Sequence, residues 1–280
     1  MSKSLGRILS SPRAAVSRCR RPSAGCKLQI RSFSEVQQSP RPSSSSPQPA
    51  LQPKTPRASS TRDINSPSLG QLEQHLNSLF PPLKFPPELA ARILTHASHP
   101  DSIHRHNGRL SFIGRRVLQS YLFLFLHDSP SLRPSHDYSM IADRTLNTYV
   151  LGEHVAPLWS LGKVLKWVPV PSVPLSKTAI QEEGLANTVA RLGPEASRSV
   201  GLYKVQGMAV EALVGGIFHQ FGGSAAHRLF HTRVLPNILL PGRPEGLNDV
   251  FYKHAMEVCE KMGGSSAELL VAHDAESEAV

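Results

Sequence analysis

His106-Asn107-Gly108-Arg109-Leu110-Ser111-Phe112-Ile113-Gly114-Arg115-Arg116-Val117-Leu118 runs on to Leu126 without a proline, and its reading decides the fold. Leu110, Ile113, Val117, Leu118, Tyr121, Leu122, Phe125 and Leu126 recur at intervals of three and four residues, the helical period. Phe112, Phe123 and Leu124 widen that stripe. The pattern predicts one long, largely buried helix that belongs in a core or an interface.

Working outward, Pro86-Pro87 precedes residues 88–98, a helix start with proline in its first turn. A shorter helix is expected over 71–80, with Leu72, Leu76, Leu79 and Phe80 on one face. His96, His99, His104 and His106 crowd the approach to the long helix. They form no His-x-x-x-His face and have no thiol partner, so solvent-facing histidines rather than a metal site are expected. Beyond the long helix, residues 127–134 read as a loop, and helices are predicted over 138–151 and 154–167. The second of these places Leu158, Leu161, Val164 and Leu165 inward. Val168-Pro169-Val170-Pro171-Ser172-Val173-Pro174 cannot be a helix interior and reads as an extended connector. Helix resumes over 177–192.

Lys204-Val205-Gln206-Gly207-Met208-Ala209-Val210-Glu211-Ala212-Leu213-Val214-Gly215-Gly216-Ile217-Phe218 carries small residues at 207, 212, 215 and 216 that let a neighbouring helix approach closely. Gly222-Gly223 leads into a further amphipathic helix ending at Leu235-Pro236, and a last helix is expected over 247–262. No segment alternates convincingly as a strand does, so the predicted class is all-α.

Two of these stretches, and a third, carry a resemblance. Asn107, Arg109, Leu110, Phe112, Ile113, Gly114, Val117 and Leu118 fit the signature of the ribonuclease III family, roughly Asn-Glu-Arg-Leu-Glu-Phe-Leu-Gly-Asp-Ala-Val-Leu. Leu94-Thr95-His96-Ala97-Ser98 resembles the Leu-Thr-His-x-Ser that opens such domains, and residues 204–218 resemble the family's Lys-Val-x-Ala-Asp-x-x-Glu-Ala-Leu motif. The likeness covers residues 86–240 and implies a ribonuclease III-like helical domain.

In that family acidic side chains of the two motifs hold the magnesium ions that cut double-stranded RNA. Here the positions of the family's Glu, Glu and Asp in the signature hold Gly108, Ser111 and Arg115, and Met208 stands where the second motif has Asp. Glu211 alone is kept. Two-metal hydrolysis needs several converging carboxylates, and a permanent cation such as Arg115 opposes a divalent ion. The expectation is therefore no enzyme, no catalytic residue, no metal and no cofactor. Glu211 is expected either to pair with Arg115 or Arg116, or to be an accessible acid on a helix surface.

The formal charge of +10 invites a nucleic-acid reading, but its location matters. Residues 1–60 hold eleven Lys or Arg against one acid, Glu35, whereas residues 61–280 hold twenty of each. The leader is also rich in serine, a composition that matches a mitochondrial transit peptide over 1–33, with cleavage expected after Phe33 in Arg31-Ser32-Phe33-Ser34. A basic RNA-binding arm is the other reading of the same charges. Residues 34–68 are expected to be disordered, 69–244 to form the helical domain, 245–264 a C-terminal helix and 265–280 an acidic disordered tail. Cys19, Cys26 and Cys259 supply no disulfide framework, and no apolar run is long enough to span a membrane.

Fungal mitochondrial large ribosomal subunits carry ribonuclease III-like proteins that have lost the active site. The resemblance points to that group, in its shorter type without a double-stranded RNA-binding domain. It implies a structural protein of the large subunit in the mitochondrial matrix. Expected partners are mitochondrial rRNA, other large-subunit proteins and a second ribonuclease III-like ribosomal protein, joined as a heterodimer. Arg105, Arg109, Arg115, Arg116, Lys163 and Lys166 are the candidate phosphate contacts, with Arg133 and Arg144 as further ones. The alternatives are an active mitochondrial double-stranded-RNA endonuclease with unidentified ligands, and an assembly factor that visits the subunit and leaves.

Overall fold

The computed structural model describes residues 67–103, 105–170, 185–191 and 193–270. The chain divides into two units, Met1–Ala58 and Ser59–Val280, and the described residues all lie in the second. The expected leader, the Ser/Pro-rich stretch up to 66, His104, residues 171–184, Leu192 and residues 271–280 lie outside the described residues.

Helices α1 (Leu69–Leu79), α2 (Pro87–Ile93), α3 (Gly108–Asp128), α4 (Tyr138–Thr145), α5 (Thr148–Val150), α6 (Leu185–Arg191), α7 (Pro194–Ser199), α8 (Leu202–Leu229) and α9 (Tyr252–Lys261) follow in chain order. Among the described residues there are isolated backbone bridges, Thr95 with Lys166 and Leu239 with Leu247, but no strand. The predicted all-α class is what the fold shows.

The element at the centre is α8. Helices α2, α3, α5 and α7 and the turn Leu151–Val155 all pack on it. From Val205 to Ile217 every residue except Met208 is buried, so over this stretch the helix has no polar face to give to water. Glycines set how closely its neighbours come. A Cβ on Gly114 of α3 would lie 1.8 Å from the Glu211 carbonyl oxygen, and one on Gly207 of α8 would lie 1.9 Å from that of Thr148. Backbone therefore meets backbone on two sides of α8. At Gly222 (φ 88°, ψ 173°) the helix breaks and restarts, a conformation open to glycine and costly for other residues.

Helix α3 buries Leu110, Ser111, Gly114, Val117, Leu118, Leu122, Phe125 and Leu126 against that core. Its stripe is narrower than predicted, because Phe112 is 64% exposed and Leu124 is exposed as well. Helix α1 starts at a capping box in which Ser68 and Gln71 satisfy each other's backbone N–H. It is tied down by the His75 ring nitrogen at 3.0 Å from the Trp159 carbonyl oxygen and by Phe80 packed edge-on to Trp159.

Three helix expectations are corrected. Helix α2 ends at Ile93 rather than 98, because the Lys166 N–H takes the Leu94 carbonyl and the His96 N–H takes that of Lys166. The helix expected over 138–151 breaks at Asn147, whose side chain accepts from the Tyr149 N–H and caps a new start. The helix expected over 154–167 does not form. Pro157 lies inside it, and the chain instead makes a wide turn at Leu151–Val155 and a 3₁₀ turn at Leu161–Lys163. Leu161 and Leu165 still point inward and Val164 is half-buried, but Leu158 is 58% exposed.

The end of the domain also lies later than expected. Gly246 accepts from Thr145 Oγ1 and Arg144 Nε, and α9 packs on the turns that follow α8. Ala267 and Leu269 are buried, held where Arg228 donates to the Met262 and Glu268 carbonyls and Arg233 donates to that of Ala267. Residues 265–270 thus belong to the packed body and not to a disordered tail.

Candidate functional site

Where α3, α5 and α8 meet, one carboxylate stands with its donors around it. Glu211 is 0% exposed. Its Oε2 accepts from Ser111 Oγ at 2.7 Å, and its Oε1 from Thr148 Oγ1 at 2.8 Å. Arg115 Nη2 lies 3.2 and 3.1 Å from the two oxygens and 3.3 Å from Thr148 Oγ1. Ser111 and Arg115 are four residues apart on α3 and so share a face, while Asn147 sets Thr148 by capping α5. The buried charge is thereby both neutralised and hydrogen-bonded, the condition under which an ion survives in a core. Of the two expectations for Glu211, the pair with Arg115 is the one present, and the accessible helix-surface acid is overturned.

Arg115 is itself 55% exposed and reaches the carboxylate from the outside. It forms part of the wall of a cleft of about 560 Å³, to which Arg116, Gln119, Asp143, Tyr149 and Lys204 also contribute. Arg116 sits with its guanidinium carbon 5.5 Å from the centre of the Phe112 ring and donates to Gln119 Oε1.

The other basic candidates are not gathered here. Arg105 pairs with Glu88 at the surface, and Arg109 and Lys163 are exposed. The Lys166 side chain is only 13% exposed and its Nζ lies 3.4 Å from Asp101 Oδ2, an ion pair. Arg144 is a backbone staple to Gly246, and Arg133 is exposed. Among the described residues, no three of His, Cys, Asp and Glu come together as a group that could hold a metal ion. His96 bonds to Ser98, and burial first, then His106 and Lys204, lower its pKa.

Sequence reasoning missed Thr148, Lys204 and Tyr149. Lys204 precedes Glu211 by two helical turns, a spacing that puts both on one side of α8, and this signal was available. Thr148 had none, because it stands 63 residues from Glu211 and reaches it only through the fold. A second buried cluster was also missed: His231, with His227 and His254 beside it, lies where α8 passes into the turns before α9. Burial, reinforced by the two neighbouring rings, pushes the pKa of His231 down to about 3.

A family model described as ribonuclease-III-like matches residues 86–238. No curated protein matches the chain. Among solved structures, the nuclease domain of ribonuclease III from Campylobacter jejuni aligns at 22% identity, over 57% of this chain and 91% of that one, with a TM-score of 0.39.

Proposed function

The chain belongs to the ribonuclease III-like family, and from that premise we propose that it is an RNA-binding structural protein with no nuclease activity, a component of the mitochondrial large ribosomal subunit. The observation that carries the reading is the state of Glu211. A site for two divalent ions needs carboxylate oxygens that are free to coordinate. Here Glu211 is the one carboxylate left at the motif positions, and both its oxygens are engaged by a guanidinium and two hydroxyls. The donor set does not fit magnesium, and a protein cation takes the place of the metal charge.

The rest of the reading has separate supports. The acid-poor, Arg- and Ser-rich leader supports import into the matrix. The cations on the outer side of α3 support contact with rRNA phosphates. Phe112, exposed on the same helix, supports a protein partner there, for which we favour a second ribonuclease III-like subunit. Sedimentation of mitochondrial extract through a sucrose gradient at moderately high salt, with the protein followed by mass spectrometry, tests the assignment. Stoichiometric co-migration with the large subunit and the monosome is expected. Confinement to the top of the gradient, or to immature particles, would overturn it in favour of a free enzyme or an assembly factor.

A further inference from the structure

The cleft beside Glu211 has a composition that the structural reading alone does not use. Its floor includes the apolar side chains of Ala142 and Leu146, and Tyr149 stands half-exposed at its edge. Around these the polar groups are almost all donors. Arg115 gives only Nη2 to Glu211 and Thr148; among the described residues its Nε and Nη1 have no partner. Gln119 spends its oxygen on Arg116 and Asn147 spends its oxygen on the Tyr149 N–H, which leaves the NH₂ of each amide to donate. Arg116 and Lys204 add two exposed cations, and Asp143 is the one acid in the lining. Because the Glu211 charge is already cancelled by Arg115, the cleft keeps an excess of positive charge and of hydrogen-bond donors.

A ligand that suits this surface is anionic and rich in oxygen at one end and flat or apolar at the other. The volume of about 560 Å³ lies in the range of sites for small organic ligands and exceeds what a bare phosphate would fill. We propose that the cleft receives a single ribonucleotide unit without a metal ion. Its phosphate rests on the cationic rim of Arg116 and Lys204, and its base lies against Tyr149 over the apolar floor. Stacking on an aromatic ring is tolerant of base identity, while Asp143 offers an acceptor to a base amino group or a ribose hydroxyl. The inference rests on the RNA-binding reading above and locates one contact within it. The same chemistry is carried by a nucleotide in an unpaired stretch of RNA and by a free nucleoside monophosphate.

The test uses the full chain in EDTA, with fluorescence anisotropy of a labelled single-stranded RNA octamer of mixed sequence and, separately, competition by AMP, CMP, GMP and UMP. Saturable binding of the octamer is expected, weakened at least tenfold by R116E and by K204E and about threefold by Y149A. Unchanged thermal melting of these exposed-residue variants excludes misfolding as the cause. Displacement of the octamer by monophosphates would identify the free nucleotide as an alternative source of the same ligand, and its failure would assign the cleft to RNA strands. Three results overturn the inference: octamer binding unaffected by R116E and K204E, binding that needs Mg²⁺ or Mn²⁺, or no binding of octamer or monophosphates. If R105E or R109E weakens binding where R116E and K204E do not, RNA binding stands and only the cleft is excluded. Where neither probe binds, the ribosomal assignment is judged by sedimentation alone.

Discussion

Helices α3 and α8 lie against each other, yet they obey different rules. Helix α3 has a buried stripe and a solvent face, and its arginines (Arg109, Arg115, Arg116) stay on the outside. Helix α8 is enclosed from Val205 to Ile217, so Glu211, the one charged side chain of that stretch, has no access to water. The difference teaches that the enclosed helix cannot satisfy its own polar group and the amphipathic one must do it. Arg115 is the side chain that spans the two environments, with a guanidinium at the surface and one nitrogen in the core. Its neighbour Arg116 turns the other way, onto Phe112 and the cleft.

The contact between the two helices should break most completely at Gly114. A methyl group there would lie 1.8 Å from the Glu211 carbonyl oxygen, so Gly114→Ala must force the helices apart. A loss of about 3 kcal/mol or more is expected in denaturant unfolding, at the upper end for overpacking. Gly70→Ala in α1, where nothing lies within 4 Å, is the control and should be neutral or slightly stabilising.

Removing the spanning cation comes next. Arg115→Met leaves Glu211 with two hydroxyl donors and no counter-charge, at a cost of about 2 kcal/mol, below the usual range for a buried pair because the arginine is half-exposed. The double variant Arg115→Met with Glu211→Gln should recover most of that loss, a coupling that a double-mutant cycle measures. Additive losses would mean that the pair is not a unit.

The same rule sharpens where α8 passes into the following turns. His231 is buried with its pKa held near 3, below the ordinary 6.5, so the folded protein carries it neutral while the unfolded chain protonates it. Its contribution is fully present above pH 6.5 and is lost as the pH falls from there toward 3. Between pH 7.5 and 5 this amounts to about 2 kcal/mol, and His231→Phe should flatten the dependence in chemical denaturation. The smallest effect is expected at the exposed end of the comparison. Arg105→Ala removes a surface pair with Glu88 and should change stability by less than about 0.5 kcal/mol.

Much of this architecture could be read from the residues. The period of α3, the small residues of 204–218 and the proline at the start of α2 placed the helices and their close contact. Their hierarchy was less legible. A stripe announces an amphipathic helix, whereas the stretch of α8 from Val205 to Ile217, buried on nearly every side, has no phase to detect. The Arg115–Glu211 pair could be inferred because both residues sit in recognisable motifs. Thr148 could not, since only the break at Asn147 and the approach of α5 to Gly207 bring it there. Leu158 was misplaced because Pro157 turns a helical pattern into a turn. The packed 265–270 segment was missed because Ala267 and Leu269 lie in a stretch whose composition is that of a tail.

The claim on which the account turns is that the Glu211 carboxylate is committed to Arg115 and cannot serve a metal. The direct measurement is cleavage of double-stranded RNA by the purified protein in Mg²⁺ and in Mn²⁺, alongside calorimetric titration with Mn²⁺. The account predicts no cleavage above background and no stoichiometric metal binding, in the wild type and in Glu211→Gln alike. Metal-dependent cleavage that disappears in Glu211→Gln would contradict it and restore the chain to the working nucleases.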